Sequence, residues 1–194
     1  HSWGHALQQA GVTVGSIGKL HYRNAEDDTG FDFQQLPMHL VGGIGDVLGC
    51  VREPLPVRWK TRTMAEKIGP GETSYTAYDR SIAEAATNWI ADRSSDEDEK
   101  PWALFVSMVA PHFPLIAPEE FYELYEAAGT MPSKLADDPD HPWLVAFREC
   151  YPYDNFTDET TRIALASYFG LVSFLDNNVG KILNSLDAAG LTDN

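Results

Sequence analysis

Gly18-Lys19-Leu20-His21 follows directly on Val12-Thr13-Val14-Gly15-Ser16-Ile17, and this stretch predicts the fold. The six residues from Val12 to Ile17 are β-branched or small, which is typical of a buried strand. Residues 2–10 carry apolar side chains at helical spacing and stop at Gly11, so we expect a short helix just before that strand. Alternate residues of a strand point to the same face, so Lys19 and His21 can converge on one anionic group.

Outward from this stretch, periodic apolar residues predict four further elements. In chain order they are a helix over 74–92, a strand over 101–110, a helix over 118–128 and a helix over 158–189. The prolines and glycines of 19–72 and the Pro- and Asp-rich residues 129–156 predict two long loops. The alternation of helices and strands indicates an α/β sandwich with a mostly parallel sheet. Two strands make a poor sheet, so we expect the fold to be incomplete at both ends of this chain.

Composition limits the function classes that the chain can serve. Its 194 residues suit one domain over 1–194, and the 43% that are apolar suit a packed core. The net charge is −15, from 14 basic and 29 acidic residues, so we expect no nucleic-acid partner, which would need a basic surface. No apolar run reaches the length of about 18 residues that a membrane span needs, so we expect none. Cys50 and Cys150 lack zinc-ligand spacing, and we interpret both as structural.

A third basic side chain follows the second predicted strand, where His112 stands between Pro111 and Pro114. In open α/β sheets, ligands bind just outside the carboxyl ends of the strands. Lys19, His21 and His112 would then form one electropositive pocket, able to bind an oxyanion and to stabilise charge on a leaving group. On spacing alone, a surface lysine and a capping histidine explain Lys19 and His21 equally well.

The remaining candidate groups favour structural roles. We expect Asp176 to pack against or cap a helix and Arg23 to be solvated. His1 and His5 are expected to lie on the surface. His39 and His141 are expected to lie in loops, and each is a weaker candidate than Lys19, His21 and His112 for lining the pocket.

Several short motifs, in order along the chain, resemble those of one enzyme family. Gly18-Lys19-Leu20-His21 resembles the G-K-x-H segment of sulfatases, within the alkaline phosphatase superfamily. Residues 7–11 resemble the family's helix end, 30–32 its G-F-D and 111–114 its P-H-x-P. Residues 168–180 resemble the helix that leads into its next active-site strand. The resemblance covers nearly the whole chain and implies a partial alkaline-phosphatase-like α/β sandwich.

The resemblance implies a sulfuric ester hydrolase that cleaves sulfate monoesters, which are its small-molecule substrates. Family members use a formylglycine, made from a C/S-x-P/A-x-R motif, beside a divalent metal ion of the calcium type. By this resemblance Lys19 binds the sulfate and the nucleophile, and His21 hydrogen-bonds the formylglycine diol and acts as the base for elimination. His112 contacts the sulfate or bridging oxygen and helps the alcohol leave. Imidazole suits such proton transfers near neutral pH.

The chain also departs from the family pattern. The resemblance places the formylglycine motif upstream of Gly18-Lys19, before His1. Cys50 lacks the Pro and Arg of that motif, and Cys150 is followed by Pro152 but has Asp154 in place of the Arg. We assign no metal ligand within this chain and place the metal-binding acidic residues outside it. The chain opens without Met and stops before an expected strand, so we expect it to be the middle of a larger protein and to be inactive alone.

Two alternatives stay open at this point. One is a phosphodiester or phosphonate monoester hydrolase of the same superfamily, since sulfate and phosphate are both tetrahedral oxyanions. The other is a non-catalytic module whose acidic loops serve assembly. The sequence leaves the alcohol part of the substrate, the oligomeric state and the compartment unassigned.

Overall fold

The computed structural model describes residues 1–45, 53–93, 100–129, 131–132 and 140–193. The chain divides into two compact units. The first unit comprises His1–Gly45, Ser74–Ala110 and Leu175–Asn194, and the second comprises Asp46–Thr73 and Pro111–Phe174. The single-domain organisation expected for 1–194 stays a prediction.

Five helices and five strands make up the regular structure of the described residues. The helices are α1 Trp3–Gln9, α2 Ser74–Arg93, α3 Glu119–Glu126, α4 Pro142–Cys150 and α5 Asp158–Ala188. The strands are β1 Thr13–Lys19, β2 Phe33–Met38, β3 Ile68–Pro70, β4 Trp102–Ser107 and β5 Leu115–Ala117. Short 3-10 segments occupy Val41–Gly43 and Trp59–Glu66. The predicted helices at 2–10, 74–92, 118–128 and 158–189 and the strands at 12–18 and 101–110 are confirmed to within a few residues.

The first unit contains a three-stranded sheet in the order β2-β1-β4. Both strand pairs are parallel, with Gly15 of β1 opposite Phe33 of β2 and Leu104 of β4. β1 is the middle strand, and its five inner residues are all buried. This arrangement confirms the prediction of an α/β fold with parallel strands.

α2 supplies the apolar layer against this sheet. Ile17 of β1 is fully buried together with Ile82 and Ala86, which lie one helical turn apart on α2. The partly buried side chains around them are Phe33, Tyr78, Ala85, Trp89, Leu104, Val106, Met108 and Ile182. This face of α2 therefore belongs to the core.

β2 lies within residues 19–72, where a long irregular loop was predicted, and that prediction was wrong. Its register against β1 shifts between Ile17 and Lys19, so the strand is bulged. Leu36 has a positive φ of 52°, and Pro37 has no N–H for the ladder. A bulged, Pro-containing strand with three consecutive exposed residues lacks the alternation that marks a strand in sequence. β3, with only three residues, falls in the same stretch.

The second unit pairs β3 with β5 in parallel and packs helices beside them. Phe121 of α3 and Phe174 of α5 meet in a T-shaped contact, with ring centroids 5.7 Å apart. The buried Cys150 thiol donates to the carbonyl oxygen of Pro56 at 2.8 Å, as expected for a structural cysteine. Cys50 lies outside the described residues.

α4 lies within residues 129–156, where a second long loop was predicted, and that prediction was also wrong. Pro142 is the first residue of this helix, a position where a missing N–H costs nothing. The His141 side chain caps the helix by accepting from the Trp143 backbone N–H at 3.2 Å. Proline signals a helix start as well as a loop, and composition alone does not distinguish the two.

Within the part of the chain that the structure covers, no helix is both long enough and apolar enough to cross a membrane.

Candidate anion site

Gly18 shapes the end of the middle strand. Its φ is +105°, a backbone angle that residues with a side chain rarely adopt. A Cβ atom at this position would also collide with the Ser107 carbonyl oxygen. The same Cβ would lie 2.8 Å from Cδ1 of Ile82 on α2. Glycine therefore lets β1, β4 and α2 approach closely at the carboxyl end of the sheet.

Lys19 and His21 follow this glycine, on either side of Leu20. Leu20 between them is only 4% exposed, whereas Lys19 is half-buried and His21 is exposed. The Leu20 backbone N–H donates to the Met38 carbonyl oxygen at 3.0 Å, which ties this segment to the end of β2. Alternating burial places the cation and the imidazole on the side away from the core.

Residues 30–32, the segment that resembles G-F-D, hold β1 from its other end. One Asp32 carboxylate oxygen accepts from the Val14 backbone N–H at 2.7 Å, and the other accepts from the Gln8 side chain at 2.9 Å. The Asp32 backbone N–H donates in turn to the Val14 carbonyl oxygen. This segment joins α1, β1 and the loop before β2, so its role is structural.

Asp79 on α2 is a buried carboxylate that sequence reasoning missed. Its residue exposure is 0%, and its two oxygens accept from the backbone N–H groups of Val109 and Ala110 at 2.7 and 2.8 Å. Burial raises the pKa of Asp79, while these hydrogen bonds and the charge of Lys19 act in the opposite direction. A polar residue on the apolar stripe of a predicted helix was the one signal that could have found it.

His112 belongs to the second unit. It follows β4 along the chain after the intervening residues 108–111, and it is exposed. Its Nδ1 lies 2.6 Å from the Phe113 carbonyl oxygen, so we assign a proton to Nδ1, which donates to that oxygen. Lys19 and His21 lie together in the first unit. The clustering of all three side chains in one pocket stays a prediction.

His39 lines an open cleft of about 750 Å³ in the first unit. Its two ring nitrogens are buried, and among the described residues neither has a hydrogen-bond partner. Arg23 lines the same cleft and is paired with Asp27, with Nε 3.1 Å from one carboxylate oxygen. The cleft starts two residues along the chain from His21.

The other candidate groups have structural or solvent-exposed positions. His5 is half-buried rather than on the surface as expected, because it hydrogen-bonds Ser2 and Asp28 beside the start of α1. Asp176 is exposed on α5. In the ranges that the structure covers, no group of three or more His, Cys, Asp or Glu side chains could hold a metal ion.

The middle strand of this parallel sheet ends at Lys19, and His21 follows two residues later, at the edge where α/β proteins bind their ligands. A family model for sulfatases matches residues 1–194. The chain therefore belongs to the sulfatase family.

Two curated relatives show how much of such a protein this chain represents. It is 25% identical over 203 residues to a choline-sulfatase of Rhizobium meliloti (strain 1021), a match that covers 99% of this chain and 40% of that protein. It is 28% identical over 139 residues to the iduronate 2-sulfatase of Mus musculus, covering 58% of this chain and 25% of that protein. The chain thus spans less than half the length of each.

Two solved structures of Ps i-CgsB share the fold. One is in complex with k-i-k-neocarrahexaose, and both give a TM-score of 0.50 at 17% and 18% identity. Each match covers 98% of this chain and 37% of the other chain. At this identity the similarity establishes the fold alone.

Proposed function

We propose that this chain supplies the sulfate-binding and proton-transfer residues of an enzyme that hydrolyses sulfate monoesters. The observation that carries the proposal is the geometry at Gly18, which fixes Lys19 and His21 at the carboxyl end of the middle parallel strand. Membership in the sulfatase family supports the choice of a sulfate ester as the anion.

Lys19 is proposed to bind a sulfate oxygen through its ammonium group. It is half-buried beside the apolar core, where a charge interaction is stronger than in water. Because sulfur is attacked in the reaction, negative charge shifts onto the ester oxygens, and a fixed cation stabilises that change. This role needs a strand end that does not move, which the close packing at Gly18 provides.

The two histidines are proposed to move protons. When a nucleophile forms a new bond to sulfur, the bond from sulfur to the alcohol oxygen breaks, and His112 as imidazolium gives that oxygen a proton from Nε2. The Nδ1 bond to the Phe113 carbonyl orients the ring for this transfer. In the second half of the reaction the bond from the nucleophile's carbon to the sulfated oxygen would break, and sulfate would leave with that oxygen. His21 would accept the proton of the hydroxyl that remains on the same carbon, so that the carbonyl group forms again.

The nucleophile and the metal are proposed to come from outside this chain. The family resemblance implies a formylglycine hydrate, which supplies the attacking oxygen, and a divalent metal, with calcium as the expected ion. The described residues do not fit a metal site, since they contain no suitable cluster of ligands.

Substrate profiling of the complete protein that contains this chain tests the proposal. We expect para-nitrophenyl sulfate to be hydrolysed with a higher kcat/KM than para-nitrophenyl phosphate, its diester or a phosphonate monoester. The 194-residue chain alone should not hydrolyse the sulfate, even with calcium added. A preference for the phosphorus esters would replace the sulfatase proposal by the phosphoryl alternative, and turnover by the chain alone would mean that the nucleophile lies within it.

A further inference from the structure

α2 holds both strands that flank β1, through two consecutive side chains. The Tyr78 hydroxyl donates to the Leu36 carbonyl oxygen, inside the bulge of β2. The Asp79 carboxylate accepts from Val109 and Ala110, just past the end of β4. One helix therefore fixes the carboxyl edge of the sheet on either side of Lys19.

The contact at Asp79 is the stronger of the two because each oxygen has its own backbone donor. Both distances lie below 2.9 Å, as is usual when a carboxylate accepts from N–H groups. Two such bonds to neighbouring residues fix the direction in which the chain leaves β4. That chain continues directly into Pro111 and His112.

Burying this carboxylate is costly, which argues that it does more than fill space. A buried ionised carboxyl group loses its hydration, and only good hydrogen bonds offset that loss. An apolar residue at this point of α2 would extend the layer formed by Ile82 and Ala86 at lower cost. It would leave the N–H groups of Val109 and Ala110 without their acceptors.

We propose that Asp79 is a positioning residue for the reaction. By holding the end of β4 it fixes the direction in which the chain enters Pro111-His112, the segment whose imidazole is proposed to protonate the leaving alcohol. This inference rests on the proposed function. It assigns Asp79 no contact with the substrate, so its effect on catalysis passes through His112.

Kinetics of the complete enzyme test this assignment with Asp79→Asn, His112→Ala and the double variant. Glu84→Gln is the matched control, since it removes one carboxylate from an exposed position of the same helix. His112→Ala should lower kcat most for alkyl sulfates, whose alcohols leave poorly, and least for nitrophenyl sulfate. Asp79→Asn should lower kcat about 10- to 100-fold with the same dependence on leaving group and little change in KM. Glu84→Gln should match the parent enzyme.

The double variant separates positioning from general loss of folded protein. If Asp79 acts through His112, adding Asp79→Asn to His112→Ala should lower kcat by less than about threefold more. A uniform loss across all leaving groups, or full additivity in the double variant, would overturn the assignment. So would an Asp79→Asn enzyme as active as Glu84→Gln.

If Asp79→Asn does not fold, Asp79→Glu tests whether Asp79 is a positioning residue. It keeps the carboxylate but displaces it by one methylene, so a smaller loss with the same leaving-group dependence is expected, and unchanged kinetics would overturn the assignment. The failure of the proposed function is recognisable separately. In that case the parent enzyme would not hydrolyse sulfate esters, or His112→Ala would show no dependence on the leaving group.

Discussion

Two carboxylates, one in each unit, join distant parts of the chain in different ways. Asp79 in the first unit is fully buried and accepts from two backbone N–H groups. Asp154 in the second unit has a side chain that is 57% exposed and pairs with Arg62, whose side chain is 44% exposed. A buried carboxylate with backbone donors fixes the direction of the chain that it holds, whereas an exposed ion pair can rearrange at little cost.

Asp79→Asn should change the pH dependence of stability, and this is the larger of the two expected effects. Burial raises the pKa of Asp79 above the ordinary aspartate value of 3.8, so the folded state holds its proton to a higher pH than the unfolded state does. The part of its contribution to stability that depends on pH is full below 3.8 and is lost as the pH rises through the raised value. At low pH the substitution should cost about 1–3 kcal/mol, because at one of the two backbone N–H groups an amide NH2, which cannot accept a hydrogen bond, replaces an accepting oxygen.

Denaturant unfolding of the unsubstituted protein (the parent) and of its Asp79→Asn variant, from below pH 3.8 to above the raised pKa of Asp79, measures the difference in their free energies of unfolding. The free-energy advantage of the parent should shrink as the pH rises, since only the parent has a carboxyl group to ionise at this point. Lys19 and Tyr78 are the neighbouring charged or titrating groups, and both are present in each protein. An advantage that grows with pH would contradict the burial of this carboxylate.

Arg62→Met should have the smaller effect, below about 1 kcal/mol at any pH, because both partners of its ion pair are exposed. The Arg62 guanidinium also lies over the Trp59 ring, 4.6 Å from its centroid, and the methionine side chain keeps part of that apolar contact. Thermal or denaturant unfolding at low and high salt measures this, with the exposed Lys60→Met as control. A loss of 2 kcal/mol or more would show that the exposed pair fixes its segment as firmly as Asp79 does.

The same contrast explains how much of the fold was predictable. β1, β4, α2, α3 and α5 have strong local patterns, and the sequence predicts each of them. β2 contains a bulge at Leu36 and Pro37, and it forms a strand because it pairs with the neighbouring β1. α4 begins at a proline, which composition assigns to a loop. The local periodicity of apolar residues does not predict helices and strands that depend on contacts with distant parts of the chain.

The candidate site shows a similar division. Lys19, His21 and His112 follow apolar strands, so their residue types and positions mark them out in the sequence. Asp79 stands within a helix among apolar residues, 30 and 31 positions away from its partners Val109 and Ala110. Pairing over such a separation follows from packing of α2 on the sheet, which a single sequence does not specify.

Hydrolysis of para-nitrophenyl sulfate by the complete protein, with Lys19→Met beside the exposed control Lys67→Met, tests whether the end of β1 binds the reacting sulfate. If the end of β1 is the sulfate site, Lys19→Met should lower kcat/KM by about 100- to 1,000-fold, the usual cost of removing a group that stabilises the transition-state charge. Lys67→Met should leave kcat/KM unchanged. Equal activity of the two variants would contradict the assignment of Lys19 to the reacting sulfate.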